Sequence, residues 1–162
     1  MSHEVSKPTF ADTSIKMFRG GAGQPVFFLH GGAGLSVWTP FFQAVSDKFD
    51  MIVPEHPGFG QSDNPDWLQS VSDLALFYLD VIDAMNLKDV HLVGNSFGGW
   101  IAAEMAVRDC SKLKSLTLIG PAGLAPAGHQ ADIFRWSHAD STRQLFHNQA
   151  IAERLLSAPL TP

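Results

Sequence analysis

The stretch "VHLVGNSFGGWIAAEMAV", residues 90–107, sets a serine between two glycines where a strand-like run gives way to a helix-like one. "VHLVG" at 90–94 reads as a buried strand, and "FGGWIAAEMAVRD" from Phe97 as a helix. Gly94-Asn95-Ser96-Phe97-Gly98 fits the G-x-S-x-G pattern of a nucleophile elbow. The string alone is weak, because chance composition yields it readily; strand, sharp turn and helix around it give it weight. A serine on such a turn is held in a strained backbone conformation, so the residues two before and two after must be small. Gly94 and Gly98 meet that need, and Gly99 relieves it further. The following helix also aims free N–H groups and its positive end at the same spot. The plainer reading is a glycine-rich turn with a capping serine.

The chain on either side of this turn alternates strand and helix. "TSIKMFR" at 13–19 partly alternates and reads as an exposed or edge strand, turned by "GGAGQP". "VFFLH" at 26–30 is a continuous apolar run, as in a strand of a parallel sheet. From Ser36, the spacing of Trp38, Phe41, Phe42, Val45 and Phe49 predicts a helix, with Pro40 in its first turn. "MIVP" at 51–54 is another strand, followed by the loop "EHPGFGQSDNPDW". In "SVSDLALFYLDVIDAMN", Leu74, Phe77, Tyr78, Val81, Ile82 and Met85 recur at helical spacing, capped by Ser70 with Asp73. "LKSLTLIG" at 113–120 is a further strand. Such alternation predicts an α/β fold, a mostly parallel sheet with helices on both faces. Ligands of such sheets sit at the carboxyl ends of the strands, the edge shared by the loops at 31–34, 55–64 and 94–98.

With 162 residues, 45% of them hydrophobic, the chain can fill the core of one domain. A net charge of −5 without any Lys/Arg cluster excludes a nucleic-acid binder. Cys110 is the only cysteine, which excludes an intramolecular disulfide, and no clustered His/Asp set suggests a metal. "MSHEVSKPTF" lacks the apolar stretch of a secretory signal, and the apolar runs are too short for a bilayer. The expectation is a soluble cytoplasmic protein with no membrane partner. After Gly120 the Pro/Gly/Ala-rich "PAGLAPAGHQ" marks a boundary, giving residues 1–120 as the core and 121–162 as a second part. That second part reads as short amphipathic helices with Leu145, Phe146, Ile151, Leu155 and Leu156 as the apolar set.

The residues themselves support an acyl-transfer site. Ser96 would attack a carbonyl, and the resulting oxyanion needs N–H donors. The Gly32 and Phe97 amides are the candidates, with Ala33 as the neighbour that could replace Gly32. A phosphate cradle fits poorly, since "GGAG" lacks the lysine of G-x-x-x-x-G-K-[ST] and "GGAGLS" fails G-x-G-x-x-G at its last position.

"LHGGAG", "PEHPGFGQSD", "VHLVGNSFGG" and "LTLIGPAGL", in that order, resemble the α/β-hydrolase superfamily over most of residues 25–124. Within it, "HGG", "GNSFGG" and "GPAGL" look closest to bacterial carboxylesterases and to the carbon–carbon bond hydrolases of aromatic-ring degradation. Relatives with an aspartate nucleophile are disfavoured by the serine at 96. The resemblance implies that residues 121–162 begin a helical cap, with Phe134, Trp136, Leu145 and Phe146 as pocket or cap-core residues. Trp38 and Phe59 are further pocket candidates. It implies no cofactor and a small-molecule substrate, a small apolar ester or related carbonyl compound. The alternatives are a carbon–carbon bond hydrolase, an acyltransferase or cofactor-free haloperoxidase, and a non-catalytic ligand-binding member of the fold.

In the family order the catalytic histidine and acid follow the nucleophile, beyond the cap, and none of these 162 residues occupies those places. Of the internal histidines, His30 sits in the oxyanion-loop motif, and His56, after a strand, is the best substitute base. His91 lies within a strand, His129, His138 and His147 in the cap segment, and His3 in the tail. Glu55 and Asp63 suit loop-shaping hydrogen bonds, and no base is assigned. The expectation is the amino-terminal part of a longer hydrolase, a fold incomplete at its carboxyl end. An open sheet edge would then favour association into a homo-oligomer or completion by the missing carboxyl-terminal part.

Overall fold

A computed structural model describes residues 3–124 and 135–157. The chain forms two compact units, Met1–Leu124 and Ala125–Pro162. The first is built on a six-stranded sheet. Its parallel block comprises β5 (Pro25–Leu29), β6 (Asp50–Pro54), β7 (Val90–Asn95) and β8 (Leu113–Ile119). On the β6 side, β4 (Met17–Gly20) and then β1 (His3–Ser6) add antiparallel, giving the order β1-β4-β6-β5-β7-β8. A separate two-stranded ladder joins β2 (Thr9–Phe10) to β3 (Thr13–Ser14).

The apolar runs alternate between two cores, as a period of two requires. Phe27, Leu29, Ile52, Val90 and Leu92 face α2 (Val71–Ala84) and α3 (Phe97–Arg108), with Leu74, Tyr78, Val81, Ile101 and Met105 filling the space between. Val26, Phe28, Met51 and Val53 face the other way, onto Phe42 of α1 (Pro40–Ser46). The mostly parallel sheet with helices on both faces is thus borne out. So is the cap of α2: Ser70 Oγ accepts from the Asp73 N–H (3.3 Å), and the Asp73 carboxylate accepts from the Gln69 N–H (3.0 Å).

Three local expectations are corrected. Residues 13–19 are not an edge strand: Thr13–Ser14 belongs to the small ladder, while Met17–Gly20 lies inside the sheet with Met17 and Phe18 buried. The edge is β1, in the segment read as a tail, whose four residues are all exposed and held by their pairing with β4. The first helix starts at Pro40 rather than Ser36, because Thr39 caps it by accepting from the Phe42 N–H (3.3 Å).

In the second unit, α4 (His138–Leu145) is capped by Ser137, and α5 (Gln149–Ser157) follows. Arg143 pairs with Glu153 (2.8 Å), and the Gln149 amide donates to the Arg143 and Phe146 carbonyls. Leu145, Phe146, Ile151 and Leu155 of the expected apolar set are exposed. Phe134 and His129 lie outside the described residues.

Candidate active site

Ser96 stands between β7 and α3 at φ 51° and ψ −113°, a backbone region that costs any residue with a side chain about 1–3 kcal/mol. The conformation is held from both sides. The Ser96 N–H donates to Ile119 O of β8 (2.9 Å). Its carbonyl accepts from the N–H groups of Gly99 (2.9 Å), Trp100 (3.2 Å) and Ala122 (3.0 Å). The side chain makes no capping bond, so the hydroxyl stays at the exposed carboxyl edge of the sheet.

The flanking glycines are required by space. A Cβ at Gly94 would stand 2.4 Å from Gly98 O and 2.6 Å from Gly99 Cα, where strand and helix meet. A Cβ at Gly98 would stand 2.2 Å from Leu29 O, so that glycine admits the end of β5 rather than β7. The Gly120–Leu124 segment closes the third side: Pro121 packs on Gly99 and Gly123 on the Trp100 ring.

The turn after β5 lies directly against the serine. A Cβ at Gly31 would come within 3.3 Å of Ser96 Cβ and of Asn95 Nδ2, and the Gly34 N–H closes the turn on Gly31 O (3.1 Å). Around Gly32 a Cβ would meet nothing within 4 Å, so this residue borders open space. No hydrogen bond among the described residues takes the Gly32 or Phe97 N–H.

Beneath the turn, His30 and His56 are buried and stacked with ring centroids 3.7 Å apart. Burial lowers the His30 pKa from the ordinary 6.5; burial and then the neighbouring His30 ring push that of His56 well below it. His56 is no base for Ser96, because Tyr78 Oη (2.6 Å) and His30 O (2.9 Å) occupy both ring nitrogens. Burial, then Glu55, raises the Tyr78 pKa well above 10.0, so its hydroxyl keeps its proton. His91 bonds to Ser115 and Gln24, and His3 stacks on Trp38. Glu55 and Asp63 shape the loop as expected: Glu55 accepts from the Gln61 (2.6 Å) and Ser62 (3.0 Å) N–H groups, Asp63 from Ser14 N–H (2.8 Å) and Lys7 (3.0 Å).

Of the pocket candidates, the structure brings Phe59 to the site, against His30, His56 and Phe97. Trp38 is not brought there. Its ring lies over Gly20, which pairs with Met51 at the amino-terminal end of β6, the edge opposite Ser96. Stacking on His3 and packing on Phe18 and Phe42 hold it there. Trp136 and Phe146 belong to the second unit, Trp136 half-buried before α4 and Phe146 exposed at its end. A hollow of about 300 Å³ lined by Ala11, Trp67, Asp73, Leu76, Phe77 and Asp80 shares no residue with the surroundings of Ser96. Among the described residues no three His, Cys, Asp or Glu side chains could hold a metal ion, and no helix is long and apolar enough to cross a membrane.

The family model of the alpha/beta hydrolase fold matches residues 24–149, from β5 through the elbow to the start of α5. The chain belongs to the alpha/beta hydrolase fold family. This α/β-hydrolase chain is 34% identical over 110 residues to 2-hydroxymuconate semialdehyde hydrolase of Pseudomonas sp. strain CF600, covering 65% of the chain and 39% of that protein. It is 33% identical to 2-hydroxy-6-oxo-2,4-heptadienoate hydrolase of Pseudomonas putida, covering 65% of the chain and 40% of the relative. The chain thus spans less than half the length of these curated relatives. Among solved structures, a bacterial membrane phospholipase A superposes with a TM-score of 0.72 at 25% identity, over 88% of this chain and 50% of that one. E-2-(acetamidomethylene)succinate hydrolase superposes at 0.66 and 23% identity, over 71% and 43%, a likeness of fold.

The missed feature is Tyr78, read from the sequence as a core residue of α2 and found bonded to His56 under the turn. A signal was present: a tyrosine on an otherwise apolar helix face needs a partner for its hydroxyl.

Proposed function

We propose that this chain carries the nucleophile and oxyanion site of a serine hydrolase acting on small apolar carboxylic esters or related carbonyl compounds. The observation that carries this reading is the Ser96 backbone, held at φ 51° by bonds to β8, α3 and Ala122, with no hydrogen bond to its hydroxyl among the described residues. Structure stabilises such strain only where the surroundings over-determine it. Ser96 Oγ adds to the substrate carbonyl carbon and gives its proton to a base. The carbonyl oxygen becomes an oxyanion between the Gly32 and Phe97 N–H groups. Collapse expels the protonated leaving group, and water then releases the acid and restores the hydroxyl. Phe59 supplies an apolar wall beside Phe97.

A second reading, carbon–carbon bond hydrolysis, is favoured by the two relatives named as hydrolases of a muconate semialdehyde and an oxo-heptadienoate. In that reaction the same two N–H groups would stabilise negative charge on the substrate's keto oxygen. Steady-state hydrolysis by the intact polypeptide, with p-nitrophenyl butyrate beside a 2-hydroxy-6-oxo-dienoate, separates the readings by the ratio of kcat/KM. Loss of both activities in Ser96→Ala is expected; an unchanged rate in that variant contradicts the mechanism, and binding without turnover of either compound would mark a non-catalytic member of the fold.

A further inference from the structure

The hydrogen bonds under the Gly31–Gly34 turn admit one arrangement of protons. Gly31 O can only accept, so His30 Nδ1–H donates to it (2.7 Å). His30 Nε2 is then free to accept, and does so from the His56 backbone N–H (2.9 Å). His30 O can likewise only accept, so His56 Nε2–H donates to it (2.9 Å). That leaves His56 Nδ1 as an acceptor, and the Tyr78 O–H donates to it (2.6 Å). The bonds form one series running from the middle of α2 to the Gly31 carbonyl.

The end of that series matters because of peptide geometry. Gly31 C=O and Gly32 N–H belong to one planar trans unit and point in opposite directions. Holding Gly31 O down onto His30 therefore fixes the direction of the Gly32 N–H above it. Packing alone does not explain the two polar groups farthest from Gly31. Tyr78 and His56 are both fully buried, and Tyr78 sits among Phe27, Phe77 and other apolar neighbours where a phenyl ring would fill the same space. The Tyr78 hydroxyl has His56 as its hydrogen-bond partner among the described residues.

We propose that Tyr78 and His56 are positioning residues that orient the Gly31–Gly32 peptide through His30, and so aim the Gly32 N–H at the oxyanion. The functional half of this statement rests on the proposed role of Gly32; the structural half does not.

The test compares the intact wild-type polypeptide with Tyr78→Phe, His56→Leu and the double variant Tyr78→Phe/His56→Leu. Tyr78→Phe leaves His56 Nδ1 without its donor, and His56→Leu leaves both the Tyr78 hydroxyl and His30 O without their partner; the double change leaves only His30 O unpaired, and so recovers part of the stability that His56→Leu loses. Two quantities are read: the amide resonances of Gly31 and Gly32, and the rate at which a fluorophosphonate, whose P=O must occupy the oxyanion site, modifies Ser96. The double variant is expected to melt above His56→Leu with the Gly32 resonance displaced and modification slowed ~10-fold or more. Phe77→Leu, on the same helix but outside the series, is expected to lower Tm and leave both quantities unchanged. A double variant with an unmoved Gly32 resonance, or with wild-type labelling, overturns the proposal. So does Phe77→Leu producing the same displacement, since Tyr78 would then be mere core. If wild-type Ser96 takes no label, the nucleophile assignment fails by itself, and the resonances still decide whether Tyr78 and His56 orient the peptide.

Discussion

Ser96 shows how a single residue concentrates the cost of a site. Its φ of 51° is one that glycine adopts freely and a residue with a Cβ does not. Ser96→Ala and Ser96→Gly both delete the hydroxyl, so the difference between them reports on the backbone. Glycine relieves the strain but gains freedom in the unfolded chain, and the two effects together leave Ser96→Gly about 1 kcal/mol more stable than Ser96→Ala. Urea denaturation of the two variants measures that difference. The histidines below make a second prediction. His30 and His56 hold their second protons less readily in the folded chain than in the unfolded one, whose value is the ordinary 6.5. Below that pH the unfolded state binds more protons, so stability falls as pH falls and is fully present above it. Urea midpoints at about pH 7.5 and about pH 5.5 should decline in that order, and the decline should shrink in the Tyr78→Phe/His56→Leu variant.

At the scale of elements, α2 carries the most local information and the most direct test. Ser70→Ala removes the acceptor of the Asp73 N–H and should lower stability by about 1 kcal/mol, read from thermal or urea melts. This helix, β5, β6 and β7 were all legible in the sequence, because apolar spacing and a cap pair are short-range signals. The elbow and the Gly31–Gly34 turn were legible for the same reason: their glycines follow strands at fixed offsets. What escaped depends on partners distant in the chain. β1 has four exposed residues and becomes a strand because β4 offers it a ladder. Trp38 matches the spacing of α1, yet its ring is drawn to His3, 35 positions earlier. The bond between Tyr78 and His56 spans 22 positions and two elements, so no local pattern announces it.

Across the whole first unit, the sheet is unequally covered. β8 forms its far edge, and Leu116 and Ile119 on that strand are 40% and 44% exposed. An exposed strand edge with apolar residues pairs readily with other chains. This 162-residue chain should therefore sediment with a concentration-dependent mass, and Leu116→Lys should shift it toward monomer. The same edge bears on the site, since Ile119 O is the acceptor that holds the Ser96 N–H in place. Sheet, turn and elbow thus converge on one hydroxyl. The most direct measurement is mass spectrometry of peptides from the intact polypeptide after exposure to a fluorophosphonate. One phosphonyl adduct is expected, on Ser96, and it disappears in Ser96→Ala. A folded wild-type protein that takes no adduct, or one whose labelling survives Ser96→Ala, would contradict a nucleophilic Ser96.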